Sequence, residues 1–196
     1  MTPVLLMATT NEGKLREIKD LLGGLAIDLV TLGDRPPVGP PDETGRTFAE
    51  NARLKARYYS NATGLLTVAE DSGLEIDALD GAPGVESSRF GGVTSSYARK
   101  FALIYDQLRA RQSPESTARF VCAVAVADAD RIVFEALGTI EGRIAPGPKG
   151  AGGFGYDPIF FYPPFGCTLA EAGERKSEVS HRAEAFRELR AFLASA

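Results

Sequence analysis

Short apolar runs alternate with segments of helical period through the first part of this chain. Val4 to Met7 is apolar and is ended by Ala8-Thr9-Thr10-Asn11-Glu12-Gly13, the pattern of a buried strand and a turn. Lys14 to Leu22 carries Leu15, Ile18 and Leu22 at helical spacing, and Gly23-Gly24 stops it. Ile27 to Leu32 predicts a second strand, and the Pro- and Gly-rich segment from Asp34 to Gly45 predicts a loop. Thr47-Phe48-Ala49-Glu50 spells a capping box, in which the Thr hydroxyl and the Glu carboxylate each take up a helix N–H. The helix it opens is expected to run to about Ser60. Leu65 to Ala69 and Leu74 to Leu79 predict two more strands, separated by Asp71-Ser72-Gly73.

The later part departs from strict alternation. Ser95 to Arg109 predicts a helix with Ala98, Ala102, Ile104, Tyr105 and Leu108 on its apolar side. Ala118 to Ala127 and Ile132 to Ile140 predict a hairpin turning at Asp128-Ala129-Asp130-Arg131. A glycine-rich loop, Gly147 to Gly155, precedes a strand from Pro158 to Phe161, and Val179 to Leu193 predicts a closing helix. The expected class is α/β, a mixed sheet flanked by helices, with residues 1–196 forming a single domain that contains a cleft.

Composition narrows the function classes. The apolar fraction is 44% and the charged fraction 24%, ordinary values for a chain that buries a sizeable core. The net charge is −4 with no long basic run, which disfavours a nucleic-acid polymer as partner but leaves room for a small anion. No stretch approaches the roughly 20 apolar residues of a membrane span, and no signal segment is visible. The two cysteines, Cys122 and Cys167, lie far apart and demand no disulfide, which fits a cytoplasmic protein. His181 is the single histidine, which excludes a metal site built on several.

Five segments carry candidate chemistry. Thr9-Thr10-Asn11-Glu12-Gly13-Lys14 joins a strand to a helix, where free N–H groups and the positive dipole end suit a phosphate, although a plain helix cap uses the same residues. Glu70-Asp71-Ser72-Gly73 places two carboxylates at a strand end, which suits a cation, and the acidic loop Asp42-Glu43 could converge on the same ion; turn formation is the plainer alternative. Lys55 lies one helical turn after Asn51 and so on the same face, where a solvated lysine is also ordinary. Glycines 152, 153 and 155 surround Phe154, leaving it room to stack on a flat base or to serve a tight turn. In Lys176-Ser177-Glu178-Val179-Ser180-His181-Arg182, Ser180 can cap a helix.

Taken together and in order, these segments resemble a known family. Added to them are Thr44 to Ala52, Gly81-Ala82-Pro83-Gly84-Val85 with Ser88-Arg89-Phe90, and the run Gly153 to Phe161. The chain resembles the inosine/xanthosine triphosphate pyrophosphatases, the non-canonical purine NTP pyrophosphatase family, over almost its full length. The resemblance implies a long mixed sheet, two lobes with a nucleotide cleft between them, and a homodimer. It implies Mg²⁺-dependent release of pyrophosphate from ITP, dITP and XTP, keeping deaminated purines out of DNA and RNA precursors.

By the same resemblance Thr9, Thr10, Asn11, Glu12, Gly13 and Lys14 cradle the triphosphate. Lys55 and Lys176 are further contacts and Ser72 touches substrate. Asp71 is the catalytic base and a metal ligand, with Asp42 and Glu43 as the other metal carboxylates. Phe154, Gly155, Tyr156, Asp157, His181 and Arg182 line the base pocket. Two positions depart from the family's habit, Asp42 where glutamate is frequent and Glu70 where aspartate is common. The alternatives are a broad-specificity or modified-pyrimidine NTP pyrophosphatase, a nucleotide sensor without turnover, and a nucleic-acid-binding protein.

Overall fold

A computed structural model describes residues 2–195. Seven strands form one mixed sheet in the order β2-β1-β3-β4-β5-β6-β7. They are β1 (Val4–Met7), β2 (Asp28–Thr31), β3 (Leu66–Ile76), β4 (Thr117–Asp128), β5 (Arg131–Ile144), β6 (Phe160–Tyr162) and β7 (Cys167–Thr168). β1 pairs in parallel with β2 and with β3, Leu6 lying opposite Val30 and Thr67. β6 pairs antiparallel with β5 and with β7. The helices are α1 (Glu12–Leu22), α2 (Phe48–Thr63), α3 (Tyr97–Ala110), α4 (Lys176–Val179) and α5 (His181–Ser195). Among the described residues no helix is long and apolar enough to cross a membrane.

The residues group into two compact units. The first holds the chain up to Asp71, Cys122–Gly138 and the residues from His181 onward. Its core is Leu5 and Met7 of β1, Ile18 and Leu22 of α1, Val68 of β3, Cys122, Val124 and Val126 of β4, and Ala185, Phe186 and Leu189 of α5. The periodicity that marked α1 is the face that packs here, beside α5. The second unit holds Ser72–Val121 and Thr139–Ser180. Its core includes Leu74 and Ile76 of β3, Phe101, Ile104 and Leu108 of α3, Phe120 of β4, Ile140 and Ile144 of β5, and Phe160 of β6.

Several boundaries differ from the sequence expectation for physical reasons. Asp71-Ser72-Gly73 is no turn, since β3 runs unbroken through it. Gly73 is there for close approach: a Cβ at that position would stand 2.3 Å from Ser87 Oγ and 2.8 Å from Gly84 O. Leu74 is paired to the same serine, its N–H donating to Ser87 Oγ at 3.0 Å. α2 continues one turn past Ser60 to Thr63 and is ended by Gly64, whose φ of 69° and N–H bond to Ser60 O close the helix. The capping box forms only in part. Thr47 Oγ1 accepts Glu50 N–H at 3.1 Å, but the Glu50 carboxylate reaches past the cap to Arg46 N–H at 2.6 Å.

Pro158 and Ile159 belong to a 3₁₀ turn rather than to the strand, which begins at Phe160; proline has no N–H to give a ladder. The closing helix is broken at Ser180. α4 occupies the residues before it, and Ser180 takes an extended conformation that lets α5 start afresh at His181.

Candidate active site

In the first unit, β1 delivers the phosphate-loop candidates. Ala8 N–H donates to Val68 O at 2.8 Å, which fixes the strand end, and Thr9 follows with its N–H on Met7 O at 3.0 Å. Asn11 caps α1, its Oδ1 accepting Lys14 N–H at 3.1 Å, while its own N–H donates to Thr9 Oγ1 at 3.2 Å. Thr10, Asn11 and Glu12 are exposed and Thr9, Gly13 and Lys14 half-buried. The segment therefore offers solvent a helix start with its first-turn N–H groups, as phosphate binding requires.

Glu70 and Asp71 are neighbours on β3, and strand geometry sends successive side chains to opposite faces. Each meets a different set of cations. The Asp71 carboxylate accepts Lys55 Nζ on Oδ1 at 3.0 Å and Asn51 Nδ2 on Oδ2 at 3.1 Å. Lys55 Nζ also lies 2.8 Å from Glu43 Oε1, so one ammonium is bracketed by two carboxylates. Asn51 and Lys55 are one turn apart on α2, as their spacing predicts. Glu70 is instead clamped by Arg182, with Nε on Oε1 at 2.6 Å and Nη2 on Oε2 at 3.3 Å, and has Lys14 Nζ at 3.5 Å. Arg182 Nη1 reaches Glu17 Oε2 of α1 at 2.5 Å. The Cys122 thiol donates to Glu70 Oε2 at 3.3 Å.

These surroundings set the charges. Burial by itself would raise the Glu70 pKa, but the charges of Arg182 and Lys14 and the hydrogen bonds from Arg182 and Cys122 hold it well below the usual carboxylate range. Burial pushes Asp71 above the usual aspartate value despite the opposing charges of Lys55 and Lys14. Burial works against the Lys55 ammonium, and Asp71 and Glu43 outweigh it and raise its pKa. Burial and the Glu70 charge push the Cys122 thiol up, leaving it a protonated donor.

The acidic loop divides. Glu43 is brought to Lys55, whereas Asp42 is exposed. Among the described residues no group of three or more His, Cys, Asp or Glu side chains is placed to hold a metal ion. Two carboxylates around one site of positive charge nevertheless suit Mg²⁺, which takes one or two carboxylates and fills its shell with phosphate oxygens and water.

In the second unit, Asp157 is the organising residue. Its Oδ2 accepts Phe154 N–H at 2.8 Å and Lys176 Nζ at 2.8 Å. Lys176 Nζ in turn lies 4.6 Å from the Phe154 ring centroid. Gly153 has φ of 69°, and a Cβ there would fall 2.1 Å from Asp157 Oδ2, so glycine is required for this loop to close. Phe154 and Gly155 are half-buried. Tyr156 turns into the core: its hydroxyl donates to Ser87 O at 2.8 Å and its ring meets Tyr97 edge-on. Ser72, the first residue of this unit, is half-buried on β3.

His181 and Arg182 open α5 in the first unit and are both buried. Their placement depends on Gly138 of β5, where a Cβ would stand 2.0 Å from His181 O and 2.7 Å from Ala185 N. The sequence carries no signal for Gly138; Glu17 lies within the family-like segment that begins at Thr9, with no role attached to it, and Asn51 is marked by the segment Thr44 to Ala52 and by its spacing to Lys55.

Comparison with known proteins identifies the family. Residues 5–192 match the Ham1 family. A dITP/XTP pyrophosphatase of Listeria monocytogenes is 43% identical over 191 residues, covering 97% of this chain and 94% of the relative. One of Thermus thermophilus is 45% identical, covering 94% of this chain and 88% of the relative. The solved structure of a HAM1 protein from Coxiella burnetii superposes with a TM-score of 0.92 at 37% identity, covering 99% of this chain and all of that one. The Staphylococcus aureus Ham1 protein does so with a TM-score of 0.88 at 34% identity, covering 98% of each chain. The match over residues 5–192 and the identity to these relatives over nearly the whole chain show that the chain belongs to the Ham1 family.

Proposed function

We propose that this protein hydrolyses deaminated purine nucleoside triphosphates, among them dITP, ITP and XTP, to the monophosphate and pyrophosphate, working as one catalytic domain. The observation that carries the reading is the Asp71 carboxylate, buried and held on both oxygens by Lys55 and Asn51 beside Glu43. The relatives' activity as dITP/XTP pyrophosphatases supports it.

The chemistry follows from charge and position. A triphosphate carries about four negative charges, so binding is mostly neutralisation. Thr9 to Lys14 at the start of α1, with Lys55, hold the phosphates. Asp71 accepts the proton of a water whose oxygen attacks the α-phosphorus in line; the new P–O bond forms as the α–β bridge breaks, and pyrophosphate leaves. Held on both oxygens by Lys55 and Asn51, the carboxylate is oriented to take this proton. Asp71 and Glu43 would hold Mg²⁺, with Asp42 at the loop's outer edge. The ion supplies neutralisation of phosphate charge when bound.

Base recognition falls to Phe154, which can stack on a purine, and to the Asp157–Lys176 pair beside it, with Gly155 and Tyr156 contributing main chain and Ser72 a further substrate contact. His181 and Arg182 are assigned to the base by the family resemblance. In the structure the Arg182 guanidinium also serves Glu70 and Glu17. The resemblance further implies a homodimer.

The test is product analysis of dITP turnover with Mg²⁺ and with EDTA. The reading requires dIMP and pyrophosphate in equal amounts, abolished by EDTA. Release of dIDP and orthophosphate, or binding without turnover, contradicts it.

A further inference from the structure

We propose that Asn51 is a positioning residue that ties the acidic loop to the Asp71 carboxylate, so that Glu43 and Asp71 face one divalent cation. This rests on the reading of those two carboxylates given above.

Asn51 is fully buried, with 0% exposure, and a buried amide needs partners for its oxygen and its two N–H groups. Its Oδ1 accepts Gly45 N–H at 2.8 Å and its Nδ2 donates to Asp71 Oδ2 at 3.1 Å. One planar group therefore joins the loop backbone to the carboxylate. Gly45 fits because it has no side chain: a Cβ there would stand 2.5 Å from Asn51 Oδ1 and 2.8 Å from Asn51 N. Two residues before Gly45, Glu43 reaches Lys55, and Lys55 reaches the other oxygen of Asp71. The loop is thus held at two points to the same carboxylate, once through an ammonium and once through an amide.

The two ties differ in kind. Lys55 carries a positive charge that both a cation beside Asp71 and an incoming phosphate will displace towards the phosphate. The Asn51 amide is neutral, so it neither repels the cation nor follows the phosphate. It is the link that keeps Asp71 oriented and Glu43 close when Lys55 changes partners. Leucine at this position matches the size but can neither donate to Asp71 nor accept from Gly45, and it adds no charge that would itself draw a cation.

Asn51→Leu and Gly45→Ala break the same link from opposite ends without adding charge, and circular dichroism checks that α2 persists in Gly45→Ala, whose Cβ also presses on Asn51 N and Glu50 Cβ. Mn²⁺ alone is titrated into each protein by electron paramagnetic resonance, and the Mg²⁺ needed for half-maximal dITP turnover is measured beside it. Both variants should bind Mn²⁺ about tenfold or more weakly and need correspondingly more Mg²⁺, because groups that orient metal ligands are worth about 10–100-fold in affinity. The KM for dITP at saturating Mg²⁺ should stay within roughly threefold in Gly45→Ala, since the phosphate contacts are untouched. A folded Gly45→Ala protein with wild-type Mn²⁺ affinity and Mg²⁺ requirement overturns the inference, as does a wild-type protein that binds no Mn²⁺ at millimolar concentration. If the wild type fails to release pyrophosphate from dITP while the Mn²⁺ difference persists, the proposed reaction falls and the positioning role stands.

Discussion

Arg182 Nε donates to Glu70 Oε1 at 2.6 Å, with both side chains only 1% exposed. The same guanidinium reaches Glu17, so one arginine joins the first turn of α5, the middle of α1 and the strand that carries Asp71. Breaking a buried pair by removing one partner leaves the other charge stranded, at a cost of about 3–5 kcal/mol. Arg182→Ala should lose stability of that order in urea denaturation. Arg182→Lys, which keeps the charge but not the fork, should lose less. A loss below about 1 kcal/mol in Arg182→Ala, the range of an exposed pair, would contradict the clamp.

Acid should act on the same pair. A carboxylate whose folded pKa lies below its unfolded value stabilises the fold above the unfolded value, and that contribution is lost as the pH falls through the folded one. Glu70 is held well below the ordinary 4.5, so its contribution is complete at neutral pH and drains away only below about that value. Urea melts across the acid range should show wild-type stability falling more steeply below this point than that of Glu70→Gln, which takes up no proton there. Parallel slopes would contradict the assignment.

Asp71→Asn should fold and lose at least about 10² in kcat, because it removes the proton acceptor and half of the carboxylate pair around Lys55. Circular dichroism checks the fold, and single-turnover kinetics with dITP check the chemistry. Turnover close to wild type would remove Asp71 from the reaction.

Lys14→Ala should raise KM for the triphosphate far more than it weakens binding of the nucleoside. A charge-assisted contact is worth roughly 1.5–3 kcal/mol, about ten- to hundredfold in affinity. Equal weakening of nucleoside and nucleotide, measured by calorimetry, would assign Lys14 to the Glu70 network alone, where it stands at 3.5 Å.

What the sequence revealed was what short-range pattern encodes. β1 and α1 were legible because apolar period and a cap lie within one stretch of chain, and β1 forms on the residues expected. β3 was read as two strands because Asp-Ser-Gly is ordinary turn chemistry. What keeps the strand straight is the seat of Gly73 against Ser87, a contact the local sequence does not express. The candidate site shows the same divide. Asn51 and Lys55 share a face by spacing alone, whereas Arg182 meets Glu70 across 112 residues and Glu17 across 165. Adjacent carboxylates suggest a shared cation; their opposite directions on a strand give them separate hydrogen-bond partners, and only the charge of Lys14 acts on both. The glycine under His181, Gly138, carries no pattern at all, since its role is an approach between backbones.

The central claim is selectivity for deaminated purines. Hypoxanthine and xanthine present an acceptor at O6 and a donor at N1–H, and adenine presents the reverse. A site that hydrogen-bonds one pattern leaves buried groups without partners when offered the other, and such sites can discriminate by up to about 10⁴. The most direct measurement is kcat/KM for dITP, XTP, ATP and a modified pyrimidine triphosphate on one preparation, with pyrophosphate and monophosphate quantified together. The account predicts dITP and XTP over ATP by at least roughly 10², with one pyrophosphate per monophosphate. ATP or a modified pyrimidine triphosphate hydrolysed as efficiently as dITP would contradict it.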